Sequence, residues 1–417
     1  MSRVKDLNGV VEHGLCAGCG ICESMAGRDK VEMRLTSFSQ VRPQVKAALD
    51  PALLDRVLQV CPGLHITGPE GPRAGEPGTL DPIWGPILSL HRVWAGRPDI
   101  RHWAAAGGSL TALGCYLLES GEVDAVLHVK ASAEAPAMTD AQISYTADEV
   151  IAGAQSRYGP AAPLVHVNHL LDRGLRFAVM AKPCDIAAIR NLAKVDARVE
   201  KQIPFCLSIF CGGVPTIRTA HKIAAYKGVK PEELSVFRWR GNGWPGPTHI
   251  ETRDGRSLDL SYDEVWYNSD ALWSYDIQFR CKICPDAIGE LADVACPDGW
   301  VMVDGKPIHK EAPGVNIAIA RTAAGQGLVE RAVREGALIA EPFDRPTLHA
   351  MHSDHLPRKL GHPARNLGLM LSGQPRLRAR RYRAWTTAWR AGLAANWQAF
   401  WGAFTRARAG ANREPLQ

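Results

Sequence analysis

Eight cysteines in two separated groups carry the most specific chemistry in this sequence. Cys16, Cys19 and Cys22 stand in C-A-G-C-G-I-C, and Cys61 precedes Pro62 in Q-V-C-P-G. A second group holds Cys184 in K-P-C-D, Cys211 in F-C-G-G, and Cys281 with Cys284 in C-K-I-C-P. Three cysteines at two-residue gaps wrap one corner of an iron–sulfur cube, and C-P commonly carries the fourth ligand. A bacterial ferredoxin run would place that ligand four residues after the third cysteine, where this chain has Ala26, so Cys61 is the replacement. Zinc is the alternative occupant of C-x-x-C, although a glycine-spaced triple is more typical of a cubane.

The second group rests on topology. Cys184 and Cys211 each follow a predicted buried strand and precede a predicted helix. If those strands are parallel neighbours, both thiols emerge at the carboxyl rim of one sheet, where α/β proteins place ligands. The C-K-I-C pair would complete a set of four. Cys296 competes as a ligand, and the pair could instead hold zinc or act as a redox dithiol. Cys115, in a predicted helix, and Cys206, in a predicted strand, read as small core residues.

Clusters move one electron at a time, and a flavin converts between one- and two-electron chemistry. The candidate flavin loop is A-G-G-S-L-T (106–111). Gly107 and Gly108 would admit backbone to a phosphate, and Ser109 would cap a helix whose first amides favour an anion. Plain helix capping explains the same residues. No G-x-G-x-x-G follows a predicted strand, so a dinucleotide-binding fold of that type is not indicated.

The positioning elements alternate. The spacing predicts a helix over 109–120, strands over 123–129, 176–181 and 205–210, and helices over 185–193 and 216–226. This is an α/β fold with a largely parallel sheet. It forms a flavin-binding core with an N-terminal iron–sulfur segment and a C-terminal helical tail. The expected divisions are a cluster segment at 1–67, a linker at 68–89, two α/β parts at 90–170 and 171–345, and a basic aromatic tail at 346–417. The 417 residues suffice for a large core, and 46% hydrophobic with 22% charged residues is ordinary for a globular protein. A net charge of +6, spread along the chain, does not argue for nucleic acid. There is no apolar run of 18 residues and no signal-type N-terminus. Eleven cysteines without an export signal favour a reducing, cytoplasmic setting over disulfides.

Residues 376–390 contain six arginines, and Trp385, Trp389, Trp397, Phe400, Trp401 and Phe404 continue from there within about half a helix circumference. Such a helix packs on its own domain or a sister subunit, or lies on a membrane surface or partner.

Taken in order, the motifs resemble the beta-subunit family of the coenzyme F-420 (deazaflavin) hydrogenases and dehydrogenases over about residues 10–330. They are C-A-G-C-G-I-C, V-C-P-G at 60–63, A-G-G-S-L-T-A-L at 106–113, S-R-Y-G-P at 156–160, A-K-P-C-D-I-A-A-I-R at 181–190, F-C-G-G-V-P-T at 210–216, R-G-N-G-W-P-G at 240–246 and C-K-I-C-P-D-A-I-G-E-L-A-D-V at 281–294. The family includes ferredoxin-dependent 8-vinyl reductase and 7-hydroxymethyl chlorophyll a reductase. The resemblance implies FAD and two 4Fe–4S clusters, with Cys184, Cys211, Cys281 and Cys284 as the second ligand set. It implies a flavin near Gly107, Gly108, Ser109, Thr111, Ser156, Tyr158 and Lys182. One departure is A-D-V-A-C-P-D-G-W, where many relatives read A-D-(I/V)-x-x-G-D.

The leading expectation is a self-contained oxidoreductase. Ferredoxin or a similar one-electron donor would feed FAD through the clusters for two-electron reduction of a small organic substrate. The alternative is an electron-transfer subunit that oxidises reduced deazaflavin and passes electrons to a partner protein. A homo-oligomer is expected. No motif identifies the proton donor, so no catalytic residue is assigned.

Overall fold

The computed structural model describes residues 4–71, 78–267, 272 and 276–414. At its centre is an eight-stranded sheet, whose strands are β1 (Ser89–Ala95), β2 (Ala125–Ala131), β3 (Thr139–Ser144), β4 (Phe177–Ala181), β5 (Phe205–Ser208), β6 (Val294–Ala295), β7 (Asn316–Ala320) and β8 (Leu338–Pro342). Their spatial order is β8-β1-β7-β6-β5-β4-β2-β3. The central run β2, β4, β5, β6 is parallel. The other four junctions are antiparallel. The expectation of a largely parallel sheet is therefore corrected to a mixed one. The three strands legible in the sequence are all in the parallel centre. Two antiparallel junctions, β2 with β3 and β6 with β7, follow connections without a crossover helix, whereas at the other edge β1 lies antiparallel between β7 and β8, which the helix Ala323–Arg334 connects.

Alternation along the strands divides the core between two faces. Val126, Ala178 and Leu207 pack with Leu113 and Leu117 of α1 (Ser109–Glu119). Their neighbours Leu127, Val179 and Cys206 face the other way, onto Ile186 and Ile189 of α2 (Pro183–Leu192). Cys19, Ile21 and Val60 of the cysteine-bearing N-terminal segment join this second face, so that segment is built onto the sheet. Cys115 and Cys206 are buried core residues, as expected.

The stretch before β1 is more than a connector. Residues 72–77 of it lie outside the described residues. Thr79–Asp81 pairs with Gly85–Ile87 as a short antiparallel ribbon, and Trp84 between them is buried against Phe210.

The C-terminal residues are woven into the molecule. Arg378–Arg380 pairs in parallel with His65–Thr67. Tyr382 and Ala407 share a core cluster with Leu15 and Cys16, and Glu414 forms a 2.6 Å ion pair with buried Arg42. The tail's last helix (Ala384–Arg408) is broken at Gly392, whose φ of 77° and ψ of 167° are not helical. Asn396 Nδ2 donates to the carbonyls of Ala388 (2.6 Å) and Gly392 (2.8 Å), satisfying acceptors at the break. Buried Ala399, Ala403 and Ala407 form the inner face of this helix.

Two four-cysteine hollows and a glycine loop on one rim

The first hollow is lined by Cys16, Cys19, Cys22 and Cys61, with Leu7, Val10, Met33 and Val57 among its apolar walls. The chain reaches this arrangement through left-handed turns at Gly18 and Gly20. A Cβ on Gly20 would stand 2.7 Å from Val165 Cγ1, so glycine is required there by both conformation and space. Cys61 is delivered by the helix Pro51–Val60, which starts with Asp50 accepting the Leu53 N–H (2.9 Å) and Pro51 in the first turn. Burial pushes the Cys19 and Cys22 thiols well up, and neighbouring thiols add to it. Burial likewise lifts Cys61 to about 12. Four thiols in an apolar hollow cannot all ionise without a bound cationic centre.

The second hollow is lined by Cys184, Cys211, Cys281 and Cys284, with Arg280, Asp286 and Arg358. β4 and β5 are adjacent and parallel, as the sequence predicts, so Cys184 and Cys211 emerge at one rim. Cys296 is not among the lining residues. It follows β6 on the same face as Val294 and is buried in the core against α1's side of the sheet. Strand alternation thus removes it from competition. Two N–H groups address Cys281 Sγ: the Val214 backbone at 3.4 Å and Gln278 Nε2 at 3.5 Å. Gly18 N–H does the same for Cys16 Sγ at 3.4 Å. Such bonds tune the potential of a thiolate-held cluster.

The hollows stand back to back. Ala17 lines both. Its carbonyl accepts from Gln278 Nε2 at 3.3 Å, and the same amide reaches Cys281 Sγ. A short hydrogen-bonded path therefore runs from Cys16, through its peptide neighbour, to a ligand-type thiol of the second group. Buried Arg280 sits at the same junction and donates to the Pro62 carbonyl at 3.0 Å. Burial opposes its charge, but the thiols of Cys284, Cys184 and Cys281 hold it protonated.

The glycine loop lies on the same rim. Ala95, the end of β1, donates to the Gly107 carbonyl (2.7 Å), and α1 begins at Ser109. Gly108 is left-handed at φ 72°, and a Cβ there would meet the Ile100 carbonyl at 2.9 Å. A Cβ on Gly107 would meet Asn316 N at 2.8 Å. Both glycines are thus demanded by neighbouring backbone, before any ligand is considered. The Ser109 N–H is taken by Asn316 Oδ1 (3.2 Å), whereas its buried hydroxyl has no hydrogen-bond partner among the described residues. Thr111, two residues further along the same helix, is also buried.

Arg240 ties this loop to Ser156 and Tyr158. It is buried and donates to the Ala105 carbonyl (2.9 Å), Tyr158 Oη (3.2 Å) and Asp298 Oδ2 (2.9 Å), and its backbone bridges Ser156. The rings of Trp244, Tyr262 and Trp300 surround its guanidinium at 5.0, 5.4 and 5.8 Å. Lys182 is placed differently. Its ammonium pairs with Asp185 at 2.7 Å, and despite burial it is held protonated by Asp185, Cys184 and Cys211. It belongs with the second cysteine group.

Two further arginines are not assigned to the site from the sequence. Arg157, inside S-R-Y-G-P, and Arg238 are half-buried like charges, each with an Nε that has no hydrogen-bond partner among the described residues. Burial, reinforced by Arg238, pushes Arg157 down to about 10. No carboxylate pairs with Arg157 among the described residues. Two such arginines beside Ser156 and Tyr158 suit a bound anion. Their one signal in the sequence is that both flank residues of interest, which spacing alone does not distinguish.

The comparison with known sequences spans the sheet, the glycine loop and the second cysteine group. Residues 90–168 match the N-terminal part, and residues 174–346 the C-terminal part, of the family described as coenzyme F420 hydrogenase/dehydrogenase, beta subunit. The chain belongs to the coenzyme F420 hydrogenase/dehydrogenase beta-subunit family. It is 26% identical over 223 residues to the F420-dependent formate dehydrogenase 1 subunit beta of Methanococcus maripaludis, covering 51% of this chain and 52% of that one. It is 29% identical over 211 residues to the F420-dependent formate dehydrogenase subunit beta of Methanocaldococcus jannaschii, covering 48% and 52%. The chain thus spans about half the length of these curated relatives. A chain of the F420-reducing [NiFe] hydrogenase complex from Methanosarcina barkeri superposes with a TM-score of 0.49 at 19% identity, covering 63% of this chain and 85% of that one.

Proposed function

We propose that this chain is an electron-transfer oxidoreductase subunit that exchanges electrons between a hydride carrier of the deazaflavin kind and a one-electron partner protein. The observation that carries this reading is the pair of four-cysteine hollows sharing Ala17 as a wall, the second of them on the rim that bears the glycine loop. The F420-dependent and beta-subunit names of the relatives support it.

Cys16, Cys19, Cys22 and Cys61 would hold one 4Fe–4S cluster, and Cys184, Cys211, Cys281 and Cys284 a second. The donor sets fit, being four thiols each in hollows otherwise poor in ligands. FAD fits the unpartnered Ser109 hydroxyl and the Arg157 and Arg238 guanidinium groups, which would hold its diphosphate near Gly107, Gly108, Thr111, Ser156 and Tyr158. These groups would supply single-electron carriage and conversion between one- and two-electron chemistry. The chain's own contribution is orientation and electrostatics. Arg240 fixes the loop against Tyr158. Arg280 sets a permanent positive charge between the two thiol groups. Gln278 bonds across their shared wall.

A second reading, a self-contained reductase fed by ferredoxin, is favoured by the aromatic surround of Arg240, which suits an organic acceptor. Anaerobic stopped-flow absorbance separates the two. Reduced deazaflavin should bleach the bound flavin within seconds, and the electrons should leave only on addition of a one-electron acceptor. Bleaching by reduced ferredoxin but not by deazaflavin would replace the first reading with the second.

The arginine pair gives its own test. Arg157→Gln with Arg238→Gln should lower flavin retained after gel filtration by about tenfold or more, since each lost charge-assisted contact is worth roughly 1.5–3 kcal/mol. Iron content should be unchanged. Full flavin occupancy in the double variant would remove these residues from the site.

A further inference from the structure

We propose that the last helix seats this protein on the surface of an anionic membrane. From 385 onward every fourth residue is large and apolar: Trp385, Trp389, Leu393, Trp397 and Trp401. All five are exposed, the first three at 90%, 88% and 91%. The face opposite them, through Thr387, Ala399, Ala403 and Ala407, is the buried one. The break at Gly392 divides these residues between two helical segments, Trp385 and Trp389 before it and Leu393, Trp397 and Trp401 after it, and all of them are exposed. A water-facing helix gains nothing from four tryptophans, and an unpartnered apolar surface of this kind marks an interaction site.

Charge decides what covers it. Residues 376–413 contain nine arginines and no lysine, aspartate or glutamate. Among the described residues only Arg381 and Arg383 of these nine pair with carboxylates, those of Glu70 and Glu290. The rest form an uncompensated positive field. After burial, Arg380 helps lower the pKa of Lys194, and Arg406 that of Arg365. Tryptophan prefers the level of lipid headgroups, and arginine pairs with their phosphates. No helix among the described residues is long and apolar enough to cross a bilayer, so the contact is peripheral. The stripe also lies beyond residue 346, where the family match ends. A partner subunit shared by the family would meet the family's own domains, whereas this surface is an addition to them.

Flotation of the full-length, cofactor-loaded protein tests the proposal. It should rise with vesicles of phosphatidylcholine mixed with phosphatidylglycerol and stay behind with phosphatidylcholine alone. High salt should release it. Trp385→Ser, Trp389→Ser and Leu393→Ser combined should weaken partitioning by about tenfold or more. Because these side chains are exposed, circular dichroism and iron content should not change. As a second measurement on the unaltered protein, brominated phosphatidylglycerol should quench tryptophan fluorescence. Failure to float with anionic vesicles, or equal flotation of the triple variant, overturns the proposal. A dimer in lipid-free solution that the triple variant renders monomeric overturns it in favour of a second copy of this chain.

Discussion

Changing Cys281 to serine is expected to remove about half of the iron from anaerobically purified protein, leaving about four of eight iron and sulfide per chain. Cys281 lines only the second hollow and receives two N–H contacts, so its loss should empty that site and spare the first. Cys19→Ser should remove the other half. Cys296→Ser should leave iron unchanged, because that thiol is packed in the sheet core away from both hollows. The measurement is iron and acid-labile sulfide by colorimetry, with zinc by mass spectrometry. Two equivalents of zinc and no sulfide would sink the cluster assignment. Unchanged iron in Cys281→Ser would remove that residue from its ligand set.

The largest effect on stability is expected at Glu290. Its carboxylate is fully buried between Lys359 and Arg383, and both cations bond to it. Burial alone would raise its pKa, but Lys359 and Arg383 hold it below the ordinary carboxylate value. Glu290→Ala would leave buried Lys359 and partly buried Arg383 without their carboxylate. Removing one member of such a network costs about 3–5 kcal/mol, a large share of a typical domain's stability. Thermal unfolding followed by circular dichroism should show a clearly lowered midpoint, and a midpoint within a degree or so of the parent would refute this role for Glu290. The pH dependence has a definite sign. Because the folded-state value is depressed, this stabilisation is complete above the unfolded-state value of about 4.3 and is lost as pH falls through the folded one. Arg383 lies in the C-terminal segment. The positions of the cofactor motifs suggest that residues 376–417 could be deleted with both clusters and flavin retained. The structure argues the reverse: deletion would break the Glu290 network, unpair Arg42 beside Cys16, and uncover the core that Ala407 shares with Leu15.

Much of the chemistry was local and therefore legible. C-A-G-C-G-I-C closes around a small volume whatever surrounds it, because its glycines permit the turns and its spacing fixes where the thiols point. The helix at Ser109 and the strands at 177–181 and 205–208 followed from period and punctuation, and two of those strands being parallel put Cys184 and Cys211 on one rim. Arg157 and Arg238 stayed hidden because an arginine's role depends on which carboxylates are near it, and that is a property of packing.

The sequence by itself determined the thiol groupings of the N-terminal run, the glycine loop at a helix start, and the central parallel strands, since each depends on residues a few positions apart. Only the tertiary structure decided the rest. Strand alternation on β6 turned Cys296 into the core. Connections without crossover helices made β2 with β3, and β6 with β7, antiparallel. The docking of the N-terminal segment on the sheet brought Ala17 between two sites whose cysteines lie up to 268 positions apart (Cys16 to Cys284). Packing of alanines at 399, 403 and 407 determined that Trp397 and Trp401 of the last helix face outward. Contacts of this kind form between surfaces contributed by distant segments, and no local pattern of residues specifies which surfaces will meet.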